Sequence, residues 1–317
     1  MASNNYSYSK IDTYVQCPFK YKLKYVDGNY CYHDTVNTEV GTLVHSCEES
    51  IAKAIQSNTK IDYVDLKNKI IFKLFELKHK YPKDFCELDK SKRTFIDKLY
   101  YYLETGIYKL ELFMQLHPTY KIAGIEQPFE LTYKSGEVFK GFIDRVFYDS
   151  LTNKYIIQDI KTYSVEVEKE KLATPLQFVI YMLAVEKLYN CAEAQISCQY
   201  YLPFCDCTQD AGTNGFINRG ILKIDNIFQK IKTADFTPNP NPLCNWCEYC
   251  KTNPDAQGKE KYLCPYFSHW DRNTRNKADI NNVENSWQGL EKHQLVLENY
   301  LNKGYRRGLK KHENKEN

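Results

Sequence analysis

No apolar run in the 317 residues approaches the roughly 18–20 needed to span a bilayer, so no membrane-spanning helix is expected. The opening stretch, MASNNYSYSK, lacks an apolar h-region, which predicts that the chain is not secreted. Neither sign of charge dominates: 43 basic against 40 acidic residues leave a net +3. That balance excludes a uniformly basic nucleic-acid coat and leaves room for a local basic groove. There is no internal repeat and no G-x4-G-K-[ST] phosphate loop, so no ATP-driven motor is indicated. A hydrophobic fraction of 43% and a charged fraction of 26% exclude wholesale disorder. The length fits one large domain or two modest ones.

What the chain does have is 12 cysteines. Without export they are expected in a reducing compartment, the cytoplasm (a host's if the protein is viral), and not as a disulfide framework. Eight are scattered: Cys17, Cys31, Cys47, Cys86, Cys191, Cys198, Cys205 and Cys207. Four crowd together as C-x2-C-x2-C-x13-C: Cys244, Cys247, Cys250 and Cys264. Two-residue gaps let neighbouring thiolates turn onto one centre, as zinc and iron–sulfur sites require. Pro238, Pro240 and Pro242 precede them, so this stretch is neither regular helix nor central strand and needs an external staple. Spacing alone leaves zinc and iron–sulfur both open.

Apolar periodicity predicts helices opening at a capping box over Ser9–Asp12 and then over Glu39–Gln56, Tyr63–Lys80 and Lys92–Leu116. Strands follow over Tyr120–Tyr133, Val138–Tyr148 and Tyr155–Lys161, then a helix over Pro175–Tyr189. Two more strands are expected at Ala194–Leu202 and Phe216–Ile224, a short helix at Asp225–Thr233, and a last helix at Glu284–Arg307 before a basic tail. Helices around a mixed, mostly antiparallel sheet make an α/β or α+β architecture. The organisation expected is a core over 1–236 with a helical insertion at about 57–118, a cysteine region over 237–270, and a C-terminal helix and tail over 271–317.

Within GFIDRVFYDSLTNKYIIQDIKT, two apolar strands flank a turn at Asp149–Asn153. Folding symmetrically about Leu151–Thr152 makes partner numbers sum to 303 and sets Asp144 opposite Asp159, with Cβ atoms roughly 4.5–5.5 Å apart. Two carboxylates so placed repel unless a hard divalent cation lies between them. The strand period puts Lys161 on the face of Asp159, where an amine can meet a scissile phosphate. Arg145 is expected on the opposite face, and Gly141 reads as a point of close approach.

His45, in Gly41-Thr-Leu-Val-His45, is a candidate cation ligand. Glu126 could add a carboxylate. Gln177 and Tyr181, four apart on one helix face, could hold a nucleic-acid backbone or the lysine. Lys20, Lys22 and Lys24 alternate with Tyr21, Leu23 and Tyr25, and with Lys169, Lys171 and the run Arg306, Arg307, Lys310 and Lys311 they suit a phosphate backbone.

In their order, these motifs resemble the PD-(D/E)XK nuclease superfamily, in its RecB/AddB-like branch that includes CRISPR adaptation nucleases. The pieces are S-x-S-x-I-x-x-Y-x-x-C-P (Ser7 to Pro18), G-x-x-x-H (Gly41 to His45), G-x-I-D-R (Gly141 to Arg145), D-x-K-T (Asp159 to Thr162), Q-x-x-x-Y (Gln177 to Tyr181) and the C-x-W-C-x-Y run. The resemblance implies a restriction-endonuclease-like core in which His45, Asp144, Asp159 and the Ile160 carbonyl bind Mg²⁺ or Mn²⁺. Lys161 would stabilise the phosphate, with Glu126, Gln177 and Tyr181 supporting. Lys20, Lys22, Arg145, Gln177 and Tyr181 would contact DNA. It further implies a [4Fe–4S] cluster on Cys17, Cys244, Cys247 and Cys264. Cys250 is an extra candidate, and Zn²⁺ on Cys244, Cys247, Cys250 and Cys264 is the alternative. The activity implied is a stand-alone DNA exonuclease of recombination, repair or viral DNA processing, acting on single strands or duplex ends, alone or beside a helicase or annealing protein. Competing readings are an adaptation-type trimming nuclease and a catalytically idle, metal-stapled DNA-binding protein.

Overall fold

The computed structural model describes residues 5–31, 34–82, 95–212, 215–250 and 263–264. The helix expected over Glu284–Arg307, the region 271–317 and most of the gap between Cys250 and Cys264 lie outside the described residues. In chain order the elements are β1 (Asn5–Tyr6), α1 (Tyr8–Gln16), α2 (Pro18–Tyr21) running into a π-helical turn (Lys22–Val26), α3 (Val36–Gln56), α4 (Tyr63–Lys80), α5 (Phe95–Glu104), a 3-10 turn (Gly106–Tyr108) and α6 (Lys109–Leu116). Then come β2 (Tyr120–Thr132), β3 (Val138–Asp149), β4 (Lys154–Ile160), α7 (Lys169–Ala173), α8 (Leu176–Tyr189), β5 (Ile196–Leu202), β6 (Cys207–Ala211), α9 (Phe216–Lys232) and a 3-10 turn (Pro242–Trp246).

The six strands form one mixed sheet in the order β1-β3-β4-β5-β6, with β2 also on β3. β2 pairs antiparallel along the whole length of β3, so β1 and β4 must share the other edge of that strand. β1 takes Val138 and Phe139, and β4 takes Arg145 to Asp149. Residues 140–144 are left between them, and Asp144 sits in that gap. β4 and β5 are parallel, joined through α8, which is the usual βαβ crossover. Each face of the sheet carries a core. On one, Phe178, Val179 and Val185 of α8 and Ile224 and Phe228 of α9 meet Phe139, Ile143 and Ile157. On the other, Val44 and Ile51 of α3, with Leu99 and Leu110, meet Phe147, Ile156 and Ile160. A sheet covered by helices on both faces is the expected α/β solution for strands this apolar. Among the described residues no helix is long and apolar enough to cross a membrane.

Several sequence expectations are corrected. Ser7, not Ser9, caps α1: its side chain accepts from the Lys10 N–H at 3.2 Å. The long helix over Lys92–Leu116 is broken at Thr105, where the bare Gly106 lies under the Tyr102 ring. A Cβ at Gly106 would overlap that ring, so this close approach requires glycine, and a 3-10 turn over Gly106–Tyr108 separates α5 from α6. The strand expected at Phe216–Ile224 is the first half of α9. Ile217, Ile224 and Phe228 recur at helical spacing, and packing that stripe outweighs the β-branched composition. Gly141 is a point of close approach to the Phe129 ring: a Cβ would stand 3.1 Å from that ring.

Candidate active site

The alternation of β3 inverts at Asp144. Phe139 and Ile143 point into the α8–α9 core, whereas Phe147, also at an odd position, points into the α3–α6 core. β2 inverts at the facing position, Ile125 packing on the α3–α6 side and Phe129 and Leu131 on the other. There Glu126 adopts φ +40°, a left-handed conformation that costs a non-glycine residue about 1–3 kcal/mol. Glu126 stands opposite Asp144, between the pairs Ile125–Arg145 and Gln127–Ile143. Two acidic side chains thus sit where the sheet crosses from one core to the other, within reach of both helical layers.

The β3–β4 ladder keeps the expected register: Arg145 pairs with Gln158 and Asp149 with Lys154. It stops at Arg145. The Asp144 carboxylate enters the gap and accepts the Ile160 N–H at 2.7 Å through Oδ2. Its Oδ1 lies 3.7 Å from His45 Nδ1. The other ring nitrogen, His45 Nε2, is 2.9 Å from the Ile160 carbonyl oxygen. His45 comes from α3, the opposite layer. Donor atoms of His45, Glu126 and Asp144 all lie within 4.8 Å of one another, the one such set among the described residues. His45 and Glu126 open onto a cleft that Gly41, Thr42, Ser46 and Glu49 also line.

Asp159 lies beside this set and is only 1% exposed. Gln177 Nε2 donates to its Oδ1 at 2.7 Å and contacts the Tyr181 hydroxyl at 2.9 Å. Its Oδ2 is 2.7 Å from Lys161 Nζ, an ion pair without the angles of a hydrogen bond, so that oxygen accepts none. Burial raises the Asp159 pKa from 3.8 to about 6, against the pull of Lys161 and with a further push from Asp144. Burial pulls the Lys161 amine down, but Asp159 and Asp144 outweigh it, so its pKa is raised and it stays charged. Burial and the Asp144 charge raise Glu126. Crowded carboxylates and an imidazole make a hard O/N donor set of the kind Mg²⁺ and Mn²⁺ take.

Sequence reasoning missed Tyr8 and Asp12. Burial raises both, and they couple to Asp159 and to Lys161 respectively, which puts the face of α1 against the site. Their four-residue spacing just after the Ser7 cap was the available signal.

Arg145, expected to contact DNA, is corrected. It is 2% exposed, its Nη1 donates to Glu48 at 3.1 Å and its Nε and Nη2 to Gln158 Oε1 at 3.0 and 2.5 Å. Lys20 pairs with Glu248 at 2.8 Å and Lys22 with Asp27 at 2.7 Å, so both charges have partners within the chain.

Cys17, Cys244, Cys247, Cys250 and Cys264 line one cavity, together with Lys20. Cys17 caps the end of α1, and Pro18 starts α2. The Asn239 N–H points at Cys17 Sγ at 3.5 Å and the Asn241 N–H at Cys244 Sγ at 3.4 Å. Burial pushes the Cys247 thiol up to about 12. The cavity brings the two ends of the described chain together, 17 with 239–250 and 264.

The sequence model of the PD-(D/E)XK nuclease superfamily matches residues 5–252. No curated protein matches the chain.

Proposed function

The chain belongs to the PD-(D/E)XK nuclease superfamily, and from that membership we propose that it is a metal-dependent deoxyribonuclease acting as a stand-alone exonuclease. Its cation would be held by His45, Glu126, Asp144 and Asp159, with the Ile160 carbonyl. A bound Mg²⁺ or Mn²⁺ supplies Lewis-acid polarisation of the phosphoryl group and lowers the pKa of water. The protein's own part is positional and electrostatic. Asp144 is fixed by the Ile160 N–H, and Asp159 by Gln177. Asp159 in turn holds the Lys161 amine at 2.7 Å, where its charge meets that developing on the phosphate oxygens. The observation that carries this reading is the meeting of a histidine from α3 with the carboxylates of Glu126 and Asp144, beside the Asp159–Lys161 pair, where β3 is free of both β1 and β4.

We also propose an iron–sulfur cluster as the staple of the cysteine cavity. Five cysteines face it, and backbone N–H groups point at two of the sulfurs. A single tetrahedral zinc needs sulfurs about 3.8 Å apart, from Zn–S bonds of about 2.3 Å. Among the described residues no three cysteine sulfurs lie within 4.8 Å of one another. A cluster's ligands bind separate irons, so an iron–sulfur centre does not require three sulfurs at zinc's spacing.

The test of the exonuclease reading is hydrolysis of end-labelled linear DNA against covalently closed circular DNA, with Mg²⁺, Mn²⁺ or chelator. Linear substrate should be consumed from its ends and circles spared; equal nicking of circles would make the enzyme an endonuclease. Iron and zinc analysis of anaerobically purified protein tests the staple. Zinc without iron would overturn it.

A further inference from the structure

His45 is the one candidate ligand that does not come from the sheet, so something must fix α3 against β3. Three residues after His45 on the same helix, Glu48 is 1% exposed. One residue after Asp144 on β3, Arg145 is 2% exposed. Arg145 Nη1 donates to Glu48 Oε2 at 3.1 Å, and the Tyr102 hydroxyl of α5 donates to Glu48 Oε1 at 2.9 Å. The rest of the guanidinium is held by Gln158 of β4, the residue before Asp159. Its face lies 5.4 Å from the Phe147 ring.

We propose that the buried Glu48–Arg145–Gln158 bridge is a positioning device for the metal site. It ties residues beside three candidate ligands into one network: Glu48, one helical turn from His45 on α3, Arg145, next to Asp144 on β3, and Gln158, next to Asp159 on β4. The inference rests on the reading of His45, Asp144 and Asp159 as cation ligands. Its basis in this structure is geometric. A buried pair is a poor device for stability alone, because desolvating two charges costs about as much as their attraction returns. A guanidinium fork has fixed directions, so it sets spacing as well as charge. The register it sets is the one that brings His45 Nε2 to 2.9 Å from the Ile160 oxygen and Nδ1 to 3.7 Å from Asp144.

The experiment measures Mn²⁺ affinity directly, by the electron paramagnetic resonance signal of free Mn²⁺, alongside thermal unfolding in chelator. Two variants of the full chain are compared with wild type. Glu48→Gln can still accept from Arg145 and meet the Tyr102 hydroxyl, but lacks the charge. Glu48→Gln combined with Arg145→Met removes both charges and fills the volume with an apolar chain, a change that buried pairs tolerate. The double variant should unfold near the wild-type temperature yet bind Mn²⁺ about tenfold or more weaker, the scale on which outer partners of metal ligands act. A double variant that folds and binds Mn²⁺ as wild type does would overturn the proposal. Should it fail to fold, Glu48→Gln decides: unchanged Mn²⁺ affinity overturns the proposal, and weakened affinity with retained fold supports it. Wild type that binds no Mn²⁺ at all would instead defeat the underlying metal-site reading.

Discussion

Replacing Asp159 by asparagine should stabilise the metal-free protein while abolishing hydrolysis. The carboxyl is 1% exposed, and burial raises its pKa from 3.8 to about 6. Because the folded value lies above the unfolded one, ionisation penalises the folded state. Stability is therefore lost as pH rises from about 3.8 through about 6, and the full penalty stands above that. At 1.36 kcal/mol per pKa unit the penalty is about 3 kcal/mol at pH 8. At pH 5 the unfolded chain is still ionised while the folded one is largely protonated, which leaves roughly half of that penalty. Asparagine keeps the amide-sized shape and the contact with Gln177 without the charge. With an unfolding entropy of about 2.1 cal/mol/K per residue over the whole chain, its unfolding temperature in chelator at pH 8 should rise by about 4–5 °C, and the gap should roughly halve at pH 5. Saturating Mn²⁺ narrows the gap. At 100 times its dissociation constant it adds about 2.7 kcal/mol to the wild type, and less to a variant that has lost a ligand. The assay is thermal unfolding followed by circular dichroism at both pH values. A variant no more stable than wild type at pH 8, or a gap independent of pH, would refute the placement of an ionised, desolvated carboxylate at this point.

Lys161→Ala should lower single-turnover cleavage by about 10²–10³-fold, the scale of losing one preorganised charge, with Mn²⁺ affinity retained. Gln177→Leu removes the 2.7 Å donor to Asp159 and should cut kcat by about tenfold or more while leaving KM for DNA nearly unchanged, measured under saturating Mn²⁺. Gly220 of α9 packs so close to α8 that a Cβ there would overlap Val179. Gly220→Ala should cost about 1–3 kcal/mol in urea unfolding, with activity per folded molecule unchanged.

Much of the site was legible because strands and helices carry distinct periods. The helix over Tyr63–Lys80 and the 303 register of the hairpin both follow from apolar spacing and one turn. What spacing does not carry is where alternation fails. β2 and β3 both invert at Glu126 and Asp144, so strict period-two reasoning pairs Asp144 with Asp159 across the ladder. In the structure Asp144 instead takes the backbone N–H of Ile160 and keeps Glu126 and His45 as neighbours. Arg145 was readable as facing away from its neighbour Asp144, but its partner Glu48 lies 97 residues earlier, a separation that no local pattern conveys. α9 was misread for a related reason: Phe216 to Ile224 is rich in residues that favour strands, and only its packing on Val179 and Phe139 decides for helix. The cysteines were found by spacing, and the cavity adds Cys17 to them through the end of α1.

The most direct measurement is cleavage of end-labelled single- and double-stranded DNA by wild type, Asp159→Ala and Lys161→Ala, each with Mn²⁺ and with chelator. Wild type should cleave only with the metal; of the variants, both folded by circular dichroism, Asp159→Ala should be silent and Lys161→Ala slower by about 10²–10³-fold. Equal cleavage by all three, or wild-type cleavage in chelator, would contradict the assignment of this cluster as the catalytic centre.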